Sequence, residues 1–129
     1  LDRLGADAED IAKIVAAIGN HDEGTGVPVS AISAALIIAD KTDVRYTRVR
    51  KAEFAAFDIH DRVNFAVREA STTIDDAHEN VTLTMTIDTQ YCSVMDYFEI
   101  FLKRMLLCRK AAEKLGLKFR LTINGQTLL

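Results

Sequence analysis

Apolar and polar positions along this chain first change their rhythm near residue 60. Before that point the apolar residues recur every three or four positions. Ile11, Ile14, Val15 and Ile18 share one stripe and predict a helix over Asp7 to Gly19. Asp7, Glu9 and Asp10 fall in its first turn, where the helix dipole favours negative charge, and Gly19-Asn20 supplies a stop. Gly24-Thr25-Gly26-Val27-Pro28 reads as loop; a G-x-G with no strand before it is turn chemistry, not a phosphate loop. Ser30 is the N-cap expected for a second helix, Ala31 to Lys41, whose segment AISAALIIAD is apolar on nearly every side. A helix of that kind is expected to be buried all round. Thr42 to Phe57 reads as irregular or helical, with Tyr46, Val49, Phe54 and Phe57 packing at intervals.

Beyond residue 60 the period shortens to two. Val63, Phe65 and Val67 alternate with Arg62, Asn64, Ala66 and Arg68. Val81, Leu83, Met85 and Ile87 alternate with Thr82, Thr84, Thr86 and Asp88, and Leu117, Phe119, Leu121 and Ile123 with Lys118, Arg120, Thr122 and Asn124. Each run predicts a strand with one apolar face. The polar connector Asp75 to Asn80 makes the first two a hairpin. Between the second and third runs, Ser93 to Leu115 returns to helical spacing, with Phe101, Met105, Cys108 and Ala112 on its stripe and Gly116 after its end. The predicted class is α+β. Helices in residues 1–57 precede a β-β-α-β unit in residues 58–129, where one long helix covers a three-stranded sheet. A right-handed crossover is expected if the second and third strands run parallel.

Composition adds bounds. A chain of 129 residues has room for one domain or slightly more, and 49% hydrophobic content with one proline argues against disorder. A net charge of −3 gives no bulk argument for nucleic acid or a membrane surface, and no apolar run approaches a membrane span. Two cysteines, Cys92 and Cys108, would stand ~24 Å apart on one helix, too far for a disulfide. Free, buried thiols suit a reducing compartment, which points to the cytoplasm.

The candidate chemistry gathers between Ile18 and Lys51. His21 follows the first helix, with Asp22 and Glu23 beside it. Asp40 closes the second helix, and Lys41, Arg45, Arg48, Arg50 and Lys51 follow at once. Imidazole and carboxylate are metal ligands, and Lys and Arg pair with phosphate oxygens. His60 and His78 lack such company and read as surface or hydrogen-bonded residues. The order Asn20-His21-Asp22-Glu23, a glycine-containing loop, then Ala39-Asp40-Lys41-Thr42-Asp43 at a helix end resembles the C-terminal part of the HD-domain metal-dependent phosphohydrolases, over about a third of the chain. That resemblance implies a divalent metal held by Asp40 and His21, which activates water and polarises a phosphoryl group. It implies phosphate contacts from Lys41, Arg45 and Arg48, and supporting roles for Asp22 and Glu23. The implied substrate is a phosphorylated small molecule or a nucleotide. The family's first histidine and His-Asp doublet have no counterpart before His21. His21-Asp22 lies too near Asp40 to be the doublet, and His60-Asp61 comes after the closing motif.

Two functions therefore stand side by side. The first is a fragment of an HD-type phosphohydrolase, inactive as this chain because a catalytic metal needs about three protein ligands. The second is a non-enzymatic assembly or ligand-binding module built on the β-β-α-β unit. A start at Leu1 with half of the motif missing fits a piece of a longer protein. An apolar second helix with a single partner helix predicts self-association into a homo-oligomer. The polar sheet face, with Arg62, Arg68, Lys118 and Arg120 among threonines, reads as solvent-exposed or as a subunit interface; without stacking aromatics it is a poor nucleic-acid surface.

Overall fold

A computed structural model describes residues 1–44, 46–48 and 58–129, with Arg48 as backbone only. After a 3-10 turn at Asp2–Leu4, the chain forms α1 (Ala8–Gly19), α2 (Ala31–Lys41) and a second 3-10 turn at Tyr46–Arg48. Then come α3 (Ile59–Ala66), β1 (Val67–Ile74), β2 (Asn80–Ile87), α4 (Val94–Lys114), β3 (Lys118–Ile123) and β4 (Gln126–Thr127). The class is mixed α and β, with four α-helices and an open four-stranded sheet among the described residues.

The sheet runs β1-β2-β3-β4, with β1 antiparallel to β2, β2 parallel to β3, and β3 antiparallel to β4. Register follows from burial. Val81 faces Phe119, Leu83 faces Leu121 and Met85 faces Ile123, so the buried members of both central strands share one face. Against that face lies α4, which buries Tyr97, Phe101, Met105, Cys108 and Ala112. Its start is fixed by a reciprocal capping box between Ser93 and Asp96, at 3.1 and 2.8 Å. At its end Gly116 takes φ 75° and the Leu117 N–H donates to the Ala112 carbonyl at 2.9 Å, the Schellman closure that a glycine permits.

Two expectations about the sheet are corrected. The alternation at Val63, Phe65 and Val67 is not a strand: Ile59–Ala66 is helix, and β1 begins only at Val67. Asp58 accepts from the Asp61 N–H at 2.8 Å while the Asp61 carboxylate accepts from the Asp58 N–H at 3.4 Å, and this capping box commits the segment to a helix. Val63 and Ala66 are its buried positions, a three-residue helical spacing, and the alternation expected of a strand is absent there. Arg62 accordingly projects from a helix and does not share a sheet face with Lys118 and Arg120. The sheet also has four strands, not three. Asn124 and Gly125, at φ 50° and 79°, form a two-residue hairpin that adds β4 to β3. The Asn124 side chain bonds both ways to the Ile87 backbone, at 2.8 and 3.1 Å, and ties that hairpin to β2.

The helices before the sheet pack on it through α4. Ala34, Ile37 and Ile38 of α2 are buried, and α2 lies against α4. Its coverage is one-sided, because Ile32 is half-exposed. In turn α1 packs on α2 but buries only Ala17; Val15 and Ile18 of its expected stripe are 59% and 55% exposed. Val15 and Ile18 thus face outward while Ile11 and Ile14 are partly buried, where the pattern led to the expectation of one buried stripe. No helix among the described residues is long and apolar enough to cross a membrane.

Candidate functional site

His21 leaves α1 immediately after its C-cap, Asn20. Its Nδ1 lies in hydrogen-bond contact with the Ile18 carbonyl. A carbonyl can only accept, so Nδ1 carries a proton, and in the ring's neutral form the lone pair lies on Nε2. The Asp22 Oδ1 lies 3.8 Å from Nε2. Metal-bound histidines are commonly oriented by a backbone carbonyl in this way.

Asp40 stands in the last turn of α2, where the negative end of the helix dipole disfavours a carboxylate. Lys41 offsets that cost: its Nζ lies 2.7 Å from Asp40 Oδ2, and only 8% of the lysine side chain is exposed. The Asp40 side chain remains 37% accessible. Thr42 ends the helix by donating its hydroxyl to the Ile38 carbonyl at 2.7 Å. Ala39 and Thr42, flanking the pair in sequence, also line an apolar groove of about 330 Å³ against Thr72, Ile74 and Leu117.

Glu23 is tied to the other half of the chain. Its Oε1 accepts from Arg104 Nε on α4 at 2.6 Å, and the guanidinium lies over the Phe101 ring at 4.2 Å. Three residues later the loop meets α4 again. A Cβ on Gly26 would strike the Asp22 carbonyl oxygen and stand 2.9 Å from Leu107 Cδ2, so the backbone passes where no side chain fits. Between loop and helix lies a cleft of about 220 Å³ with Lys103 and Lys110 on its walls.

Cys108 feels both ion pairs. Burial pushes its thiol up to about 12, with smaller opposing contributions from Arg104 and Lys41 and reinforcing ones from Glu23 and Asp40. Cys92 is raised to about 11, again chiefly by burial. Both thiols are free and buried, and both stay protonated near neutrality, which fits packing and not nucleophilic chemistry.

The predicted site residues thus fall into three local pairings: His21 with Asp22, Asp40 with Lys41, and Glu23 with Arg104. Arg45 lies outside the described residues, as do Arg50 and Lys51, and Arg48 is placed only as backbone in the 3-10 turn. His60 is exposed with its ring edge-on to Phe101, and His78 occupies a positive-φ turn position between β1 and β2. Arg68 is folded over the rings of Phe65 and Tyr91 at 4.5 and 4.8 Å, with Asp88 at 3.6 Å, so it is not a bare cation on the sheet. Arg104 is the residue the pattern did not single out. Its signal was available: a charge on the stripe between Phe101 and Cys108 demands a partner from elsewhere.

Among the described residues no group of three or more His, Cys, Asp and Glu side chains is placed to hold a metal ion. His21 and Asp40 have the right donor chemistry for a divalent ion, but by themselves these residues do not make a complete site. No family model matches the chain, and no curated protein or solved structure is significantly similar to it.

Proposed function

We propose that this chain is the C-terminal part of an HD-type metal-dependent phosphohydrolase acting on a phosphate ester, with nucleotides among its substrates, and that it is inactive alone. The observation that carries this reading is the His21 ring, held by the Ile18 carbonyl so that Nε2 keeps a lone pair for an electrophile. Asp40 is the second ligand, its carboxylate paired with the buried ammonium of Lys41 at 2.7 Å. The remaining ligands of the divalent ion belong to helices outside these 129 residues. Lys41, Arg45 and Arg48 contact the substrate's phosphate, while Asp22 and Glu23 orient the His21 loop. The protein works in the cytoplasm.

Asp40→Ala in the full-length protein tests it. Phosphatase activity is expected to vanish while the far-ultraviolet circular dichroism stays that of the parent. A folded variant with undiminished turnover overturns the assignment of Asp40.

A further inference from the structure

We propose that Arg104 is a positioning residue for the loop that carries His21, so that α4 of the sheet unit sets the geometry of the site. What the loop does rests on the phosphohydrolase reading; how it is held does not. Glu23 and Arg104 are 81 positions apart in sequence, yet their side chains meet at 2.6 Å and are only 32% and 16% exposed. Shielding of that order makes a charge-assisted contact stronger than its counterpart in open water. The guanidinium does not hang free. Its Cζ lies over the Phe101 ring, and Phe101 is itself buried against Tyr97 with ring centroids 5.2 Å apart. One helical turn further on, Leu107 receives the close approach of Gly26. The loop is therefore anchored at two points on one helix, Glu23 to Arg104 and Gly26 to Leu107. His21 and Asp22 sit directly before the first anchor. Lysine at 104 would keep a charge but lose the flat group that covers Phe101 while its Nε donates to Glu23.

Amide hydrogen exchange in the 129-residue chain decides how the loop is held. The Val27 N–H donates to the Asn20 carbonyl at 3.0 Å and the Gly26 N–H to the Asp22 carbonyl, so both amides report loop closure. Arg104→Gln and Glu23→Gln should each speed exchange at Gly26 and Val27 by about tenfold while β2 and β3 amides keep their rates. The double swap Glu23→Arg with Arg104→Glu should bring the loop amides back to within about threefold of the parent. Unchanged loop exchange in both single variants overturns the proposal. So does a double swap as fast as the singles, or a loss of protection shared equally by the sheet, which would make Arg104 merely structural. In the full-length protein, Arg104→Gln should lower kcat with KM nearly unchanged, because the residue seats the loop and does not touch substrate. A raised KM at unchanged kcat would instead make it a substrate contact. Absence of phosphatase activity in the parent would remove the functional reading, and the exchange rates would still decide the positioning role.

Discussion

Tyr97 is fully buried, yet its hydroxyl oxygen finds no hydrogen-bond partner among the described residues. Burial drives the phenol well above its ordinary range, so it stays neutral at any working pH. An unpartnered buried hydroxyl costs about 1–3 kcal/mol, whereas its ring packs against Phe98 and Phe101. Tyr97→Phe is therefore expected to leave stability unchanged or raise it by about 1 kcal/mol in urea denaturation. A loss of that size would show that the oxygen has a partner. Legibility at this scale followed side-chain chemistry. His21 and Asp40 stood out because a polar group at the end of an apolar helix invites a reason. Arg104 did not, because a stripe is read by its apolar members and an arginine within it is passed over as surface. The aromatic platform beneath it was invisible for the same reason: Phe101 counts as core, whatever lies on its outer face.

At the scale of elements, α1, α2, β2, α4 and β3 were legible, since each carries a full period between capping residues. The failure at residues 59–74 has a physical cause. A short helix of eight residues shows barely two turns of pattern, and the strand after it lies at the sheet's edge, where Ser71, Thr72, Thr73 and Ile74 are all exposed and no alternation is required. Burial, not propensity, writes a strand's period, and an edge strand has little burial to write with. The information that decided the segment was the pair Asp58 and Asp61. Asp58→Ala should consequently destabilise the protein by about 1 kcal/mol, the usual worth of an N-cap, as measured by thermal or urea unfolding. No change in midpoint would mean that packing of Val63 and Ala66 alone holds α3. A contrasting success is the β1–β2 turn, where Asp75 accepts from the Glu79 and Asn80 N–H groups at 2.8 and 3.0 Å. A bond from the Asn80 side chain, seconded by those two backbone bonds, holds its carboxyl below the usual carboxylate range.

The whole molecule is covered unevenly. Its sheet unit is closed on the α4 side, while Val15, Ile18 and Ile32 present apolar surface on the two leading helices. Fully burying a large aliphatic side chain is worth roughly 1.5–3 kcal/mol, so three half-exposed ones are a strong inducement to associate. We expect the isolated chain to form a homo-oligomer at micromolar concentration, measured by light scattering; a clean monomer mass would count against association through this face. The sequence pattern anticipated exposure on α2, but not that Ile37 and Ile38 would be buried and that α1 would hold the larger share. Which helix shields which is a tertiary matter that no single segment's periodicity encodes.

Because α4 covers the sheet with Phe101 and Met105 and seats the His21 loop with Arg104, occupancy at the loop and melting of the sheet belong to one equilibrium. A molecule that binds only the seated loop withdraws protein from the unfolded pool. At a hundredfold excess over its Kd it adds about 2.7 kcal/mol to the unfolding free energy of the entire fold. The melting temperature of the distant strands then serves as a gauge of what the loop has captured, readable without knowing the reaction.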